Sequence, residues 1–171
     1  MPRPKGFATI RSVDDLFAKL QHDLQRMHND PLNEYAAFDF FVTAEHMVDW
    51  HLPDLPTKNR RKERGAFRNS ESLLQLVSHI ANGAKHFEAT ASHHKSVDDL
   101  ESNTGGFSPA AFSTKAFSPS AFKVAGLTVK LSDGLSRHVF DIAEDVIVFW
   151  RRTLKMGLSD RLILAETRLK T

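Results

Sequence analysis

Tyr35-Ala36-Ala37-Phe38-Asp39-Phe40-Phe41-Val42-Thr43-Ala44-Glu45-His46-Met47-Val48-Asp49-Trp50 carries apolar side chains at all but five of its positions. Its length and spacing predict a helix over residues 32–51, and a helix so apolar is buried on most sides. The positions that break the apolar run are therefore informative. Asp39, Thr43, His46 and Trp50 are separated by four, three and four residues, and Asp49 lies three beyond His46. On a helix these positions share one face. Polar groups buried without hydrogen bonds are costly, so such a stripe must meet partners on a neighbouring element.

Asn29-Asp30-Pro31 separates this helix from an earlier one, with Asp30 suited to the N-cap and Pro31 to the first helical position. The earlier helix starts at Ser12, whose capping-box acid is Asp15. Val13, Leu16, Phe17, Leu20, Leu24 and Met27 follow at helical spacing and give it one core face. Residues 1–11 read as a flexible arm. On the other side, Pro53 and Pro56 end the apolar helix, and a basic stretch follows. Lys58, Arg60, Arg61, Lys62, Arg64 and Arg68 are opposed only by Glu63. Without an apolar period this stretch reads as a loop, either simply solvated or contacting phosphates.

A third helix is predicted from Asn69 or Ser70 to about residue 89. Leu73, Val77, Ile80, Ala84 and Phe87 form its core stripe, with Gln75, His79, Asn82 and His86 on roughly the opposite side. If its polar stripe faces that of the apolar helix, His46, Asp49, Asn82, Lys85 and His86 form a polar inter-helix site. In the alternative, the third helix turns those residues to water and His46 bonds a backbone carbonyl. Both arrangements are compatible with the spacing.

Residues 90–126 lose the helical period and are rich in Ser, Gly, Ala and Pro. Phe107, Phe112, Phe117 and Phe122 recur every five residues, as in pentapeptide repeats. Four units are too few to stack into a core of their own, so the segment reads as an irregular meander pinned to the bundle by its phenylalanines. Leu127, Val129 and Leu131 then alternate with Thr128 and Lys130, the mark of a half-buried strand. Asp133-Gly134 supplies a hairpin turn, and a return strand is expected over residues 135–140. Asp141 would cap the last long helix, whose inward residues are Ile142, Val146, Phe149 and Trp150. Gly157 would stop it, and Ser159 or Asp160 would begin a short final helix.

The 171 residues suit a single domain, residues 1–171. The absence of cysteine excludes disulfides and thiolate chemistry. No apolar run could span a bilayer, and the first residues lack the apolar stretch of a signal peptide, so no membrane partner and a cytoplasmic location are expected. The net charge of +2 permits contact with nucleic acid without demanding it. No Gly-x-Ser-x-Gly elbow, phosphate-binding glycine loop or His-Glu-x-x-His pair occurs. His46 with Asp49, or Asn82 with His86, could each reach one ion. His79 and His86, however, stand about 10.5 Å apart along a helix, and Asn is a poor zinc ligand. No metal and no cofactor are therefore expected.

Two motifs carry a resemblance. Phe38-Asp39-Phe40-Phe41-Val42-Thr43-Ala44-Glu45-His46-Met47-Val48-Asp49-Trp50 and Ile80-Ala81-Asn82-Gly83-Ala84-Lys85-His86-Phe87 resemble a family of uncharacterised bacterial helical proteins. That resemblance implies a helical domain and no particular reaction. More loosely, Asn82 and His86 resemble the polar residue and histidine of the HEPN superfamily, helical bundles that include metal-independent RNases. The arginine of that motif is replaced by Ala81 here.

The expected fold is mainly α: a helical bundle with an irregular Phe-rich segment and one β-hairpin before the last long helix. The leading functional expectation is a binding or regulatory domain, HEPN-like and linked to RNA or to another protein. Its nucleic-acid contacts would be Lys58, Arg60, Arg61, Lys62, Arg64 and Arg68. The alternatives are a metal-independent RNase using His86 and His46, and a metal-dependent hydrolase. Sequence leaves the ligand and the oligomeric state open.

Overall fold

A computed structural model describes residues 6–53, 56–85, 97–103, 106–107, 122–123 and 126–155. The elements run α1 (Val13–Asn29), α2 (Glu34–His51), α3 (Thr57–Asn69), α4 (Ser72–Lys85), β1 (Val97–Asn103), β2 (Gly106–Phe107), β3 (Phe122–Lys123), β4 (Gly126–Leu131), β5 (Ser136–His138) and α5 (Val139–Thr153). The chain is thus mainly helical, with a small antiparallel sheet before its last described helix, as the sequence implies.

Local chemistry accounts for the helix ends. Ser12 caps α1: its hydroxyl accepts the Asp15 N–H at 3.1 Å, and the Asp15 carboxylate accepts the Ser12 N–H at 2.9 Å. The Arg11 N–H, then the Ser12 hydroxyl and N–H, hold the Asp15 carboxyl below the ordinary carboxylate range. Asp30 does not open α2. It closes α1, donating its N–H to the Arg26 carbonyl, and Asn33 takes the N-cap of α2 by accepting the Ala36 N–H at 2.9 Å. Pro31 sits in the turn between them. Residues 6–11 are folded back on themselves, Phe7 and Ile10 exchanging both backbone hydrogen bonds at 2.9 Å.

Phe17 and Leu20 of α1, Phe40, Phe41 and Met47 of α2, Leu74 and Val77 of α4, and Ile142, Ile147 and Trp150 of α5 pack into one core. Val129 of β4 closes it from the sheet side, fully buried. Burying a side chain of this size contributes roughly 1.5–3 kcal/mol, so this cluster rather than the caps holds the helices together.

The sheet is ordered β1-β4-β5 and is antiparallel throughout. Gly134 at φ +83° makes the β4–β5 turn, and Leu131 and Leu135 close it with a 2.8 Å hydrogen bond. The return strand is shorter than its alternation suggests. It ends at His138, and Val139 and Phe140 already belong to α5, whose first turn carries Asp141 as a charge rather than as a cap. The helix stops before Gly157, where Lys155 turns left-handed at φ +54° and donates to the Arg152 carbonyl at 3.1 Å. The proposed final helix at Ser159 or Asp160 lies outside the described residues.

Two further expectations change. The segment expected to be an irregular meander contributes β1, which pairs with β4, and the short β2–β3 ladder, which sets Phe107 opposite Phe122. Phe112 and Phe117 lie outside the described residues. The basic stretch expected to be a loop is the helix α3. Its inward positions are Arg60, Arg64, Phe67 and Arg68, spaced four, three and one apart and all half-buried. An inward face made mainly of arginine hides a helical period from any reading of apolar spacing.

Candidate nucleic-acid interface

Helix α2 organises the polar chemistry. Its stripe does not meet one partner; it divides between three surroundings. On the side towards α1, Asp39 and Thr43 join a network around Asp23, a carboxylate only 2% exposed. Lys19 Nζ donates to Asp23 at 2.5 Å and to Thr43 Oγ1 at 2.7 Å. Arg26 Nη1 reaches Asp39 at 2.6 Å and Asp23 at 3.4 Å. The Asp39 carboxylate raises the Arg26 pKa further, so this guanidinium stays charged at any ordinary pH.

On the opposite side α2 meets α3. Arg68 Nε lies 2.7 Å from Glu45 Oε1, a charge contact whose N–H is not aligned on that oxygen. Arg68 Nη2 donates to Asp49 Oδ1 at 3.2 Å, and Arg64 Nη1 stands 3.3 Å from the same oxygen. Arg64 Nη2 also donates to the carbonyls of Asp49 at 2.7 Å and Leu52 at 3.1 Å. A cation placed there complements the negative end of α2 and occupies carbonyls that have no partner within the helix. Phe67 packs beside the same site, its ring 5.5 Å from His51 and 6.1 Å from the fully buried Trp150. Two arginines and one phenylalanine therefore fasten α3 to the bundle.

Lys58, Arg61 and Lys62 are exposed, and Arg60 is half-buried. The first turn of α3 has no acidic residue, and its N-cap, Pro56, makes no side-chain capping bond. Cations at the N-terminal end of a helix oppose its dipole, so the exposed end of α3 carries a local electrostatic cost.

Between its two paired flanks, α2 leaves a narrow face open. Tyr35, Phe38 and His46 are exposed there, with Val42 half-buried among them. The helix is less enclosed than its composition predicts.

The sequence-predicted site residues that are described have different surroundings. His46 lies on the open face of α2, and Asp49 belongs to the arginine cluster of α3. Asn82 turns back on its own helix, donating Nδ2 to the Ser78 carbonyl at 2.7 Å. The side chain of Lys85 and all of His86 lie outside the described residues, so the proposed meeting of His46, Asp49, Asn82 and His86 is only partly in view. His79, expected opposite the core stripe, is buried, and its Nδ1 accepts the Val97 N–H at 3.1 Å. That bond requires an unprotonated Nδ1.

Sequence reasoning missed Glu45. The signal was present as two matched pairs at i, i+4 spacing, Glu45 with Asp49 and Arg64 with Arg68. Among the described residues no group of three or more His, Asp and Glu side chains is placed to hold a metal ion. None of their helices is long and apolar enough to cross a membrane. A groove of about 700 Å³ lies between α4, the β4–β5 turn and α5. Leu73, Leu76, Val148 and Phe149 are among its lining residues, with Arg137 paired to Asp145 at 2.8 Å. It contains no histidine. No protein-family description, curated protein or solved structure matches the chain.

Proposed function

We propose that the chain is a binding or regulatory domain that contacts nucleic acid, RNA foremost, through helix α3, and that it binds more than it catalyses. The supporting observation is the construction of α3. Its inner arginines, Arg64 and Arg68, are spent on Glu45 and Asp49, while Lys58, Arg61 and Lys62 are held outward at the helix's positive end. A phosphate at that end would relieve both the dipole conflict and the mutual repulsion of the cations. A helix already docked by ion pairs and Phe67 presents those charges without an ordering cost on binding.

This assigns different roles within the basic stretch. Lys58, Arg61 and Lys62 are the phosphate contacts. Arg64 and Arg68 are fasteners whose removal would disturb the fold. The test is fluorescence anisotropy with labelled RNA over a range of salt. The triple variant Lys58→Glu, Arg61→Glu, Lys62→Glu should weaken binding and flatten the plot of log affinity against log salt by about 2 for a single strand. An unchanged slope would remove α3 from the interface. Cleavage of RNA by the purified protein, abolished by His86→Ala with the melting temperature intact, would overturn the preference for binding.

A further inference from the structure

Tyr35 is 82% exposed and Phe38 45% exposed, on a helix that buries Phe40 and Phe41 in the core. Both stand on the open face of α2, three residues apart, about 4.5 Å along the axis. Scattered exposed apolar residues need no explanation. Two exposed aromatic side chains about one helical turn apart, followed by the half-buried Val42 on the same face, form a ridge. That ridge leads towards α3. Arg68 pairs with Glu45 while Arg64 reaches Asp49 and Leu52, so α3 runs back along the last turns of α2. Its Lys58–Lys62 end therefore projects beyond them. The distance from Phe38 to Asp49 along α2 is about 16 Å.

We propose that Tyr35 and Phe38 are a base-stacking platform for single-stranded nucleic acid whose phosphates continue onto the exposed end of α3. The proposal rests on the reading of α3 as a phosphate-contacting helix, and it adds the strandedness of the ligand. Aromatic rings standing on a helix can stack only on bases that are not already stacked in a duplex, and every base offers a face to them. A flanking basic track is the usual complement, because it follows the backbone without reading sequence. A second copy of the chain fits this ridge poorly. Stable interfaces bury on the order of 1,200–2,000 Å², whereas three side chains in a strip one helix wide supply far less. The strip is also bordered by ion pairs already satisfied within the chain, Arg26 with Asp39 on one side and Arg64 and Arg68 with Glu45 and Asp49 on the other.

The experiment compares oligo-uridine, oligo-deoxythymidine and a duplex of equal length by anisotropy. The proteins are the wild type, Tyr35→Ala/Phe38→Ala, and the Lys58/Arg61/Lys62 charge reversal. The wild type should bind at least one single strand about tenfold or more tightly than the duplex. The aromatic pair variant should lose about tenfold or more of that affinity, as base–aromatic stacking implies, with its salt slope unchanged. Tyr35→Phe should restore binding in the Phe38 background. If the pair variant melts early, Tyr35→Ala alone carries the test. Salt-dependent binding that is equal for duplex and single strand, or indifferent to the aromatic pair, overturns the platform and leaves the α3 reading standing. Absence of any nucleic-acid binding by the wild type overturns both. A concentration-dependent dimer in sedimentation, lost in the pair variant, would assign the ridge to self-association instead and also overturns the platform.

Discussion

Replacing Arg68 with Met removes the charge that binds Glu45 while keeping a long side chain against the neighbouring surface. Glu45 is 11% exposed and Arg68 20%, so neither charge is freely hydrated when its partner goes. Breaking a fully buried pair costs roughly 3–5 kcal/mol. Here one side chain keeps a fifth of its surface, and Asp49 retains Arg64, so about 2–3 kcal/mol is expected. In a chain of this size that lowers the melting temperature by roughly 5–10 °C. The informative measurement is a double-mutant cycle in urea. Arg68→Met should be costly. Glu45→Leu/Arg68→Met should recover much of the loss, because it leaves no stranded carboxylate, and the coupling should exceed about 1 kcal/mol. A coupling under about 0.5 kcal/mol, with Arg68→Met melting like the wild type, would mean that α3 is held by Arg64 and Phe67 without Arg68. The assignment of Arg68 as a fastener would then be wrong.

Two further outcomes follow from named contacts. The Asp15 carboxyl is held below its ordinary range, so the stability it confers on the start of α1 is present above the unfolded-state value of roughly pH 4. That contribution should disappear as the pH falls through the lower folded-state value; Asp15→Asn should melt earlier than the wild type at neutral pH and converge with it in acid. If the gap persists unchanged at the acid end, the capping carboxylate is not its source. His79→Leu removes the acceptor of the Val97 N–H. Hydrogen exchange should accelerate at Val97 and along β1 while the β4–β5 hairpin stays protected, and equal acceleration in both strands would show that the histidine supports the whole sheet.

Apolar spacing made α1, α2 and α5 legible, since each owes its place to residues of the Phe17, Phe40 and Trp150 kind. Alternation together with Asp133-Gly134 revealed β4 and its turn. What stayed hidden was built from polar residues. β1 reads Val-Asp-Asp-Leu-Glu-Ser-Asn and is a strand only because β4, more than twenty residues later, supplies its hydrogen bonds. A reading of local propensity has no access to that pairing. α3 has one inward aromatic, Phe67, and three inward arginines, which no hydropathy pattern distinguishes from a solvated stretch. The site suffered the same way. Asp49 stood out on its apolar helix, but its described partners come from α3, which the sequence presented as a loop.

Fastening α3 through the end of α2 makes the two helices one unit of local opening. With so little apolar surface of its own, α3 has slight reason to stay helical once undocked. When Arg64 leaves, the carbonyls of Asp49 and Leu52 lose their cation, and the last turn of α2 frays with it. Exchange protection should therefore vanish together across α3 and the end of α2, rather than spreading from one to the other. The outward charges of Lys58, Arg61 and Lys62 exist as an ordered set only while that unit is closed. Anything that binds them draws on the closed population and so protects amides at the α2 terminus that it never touches.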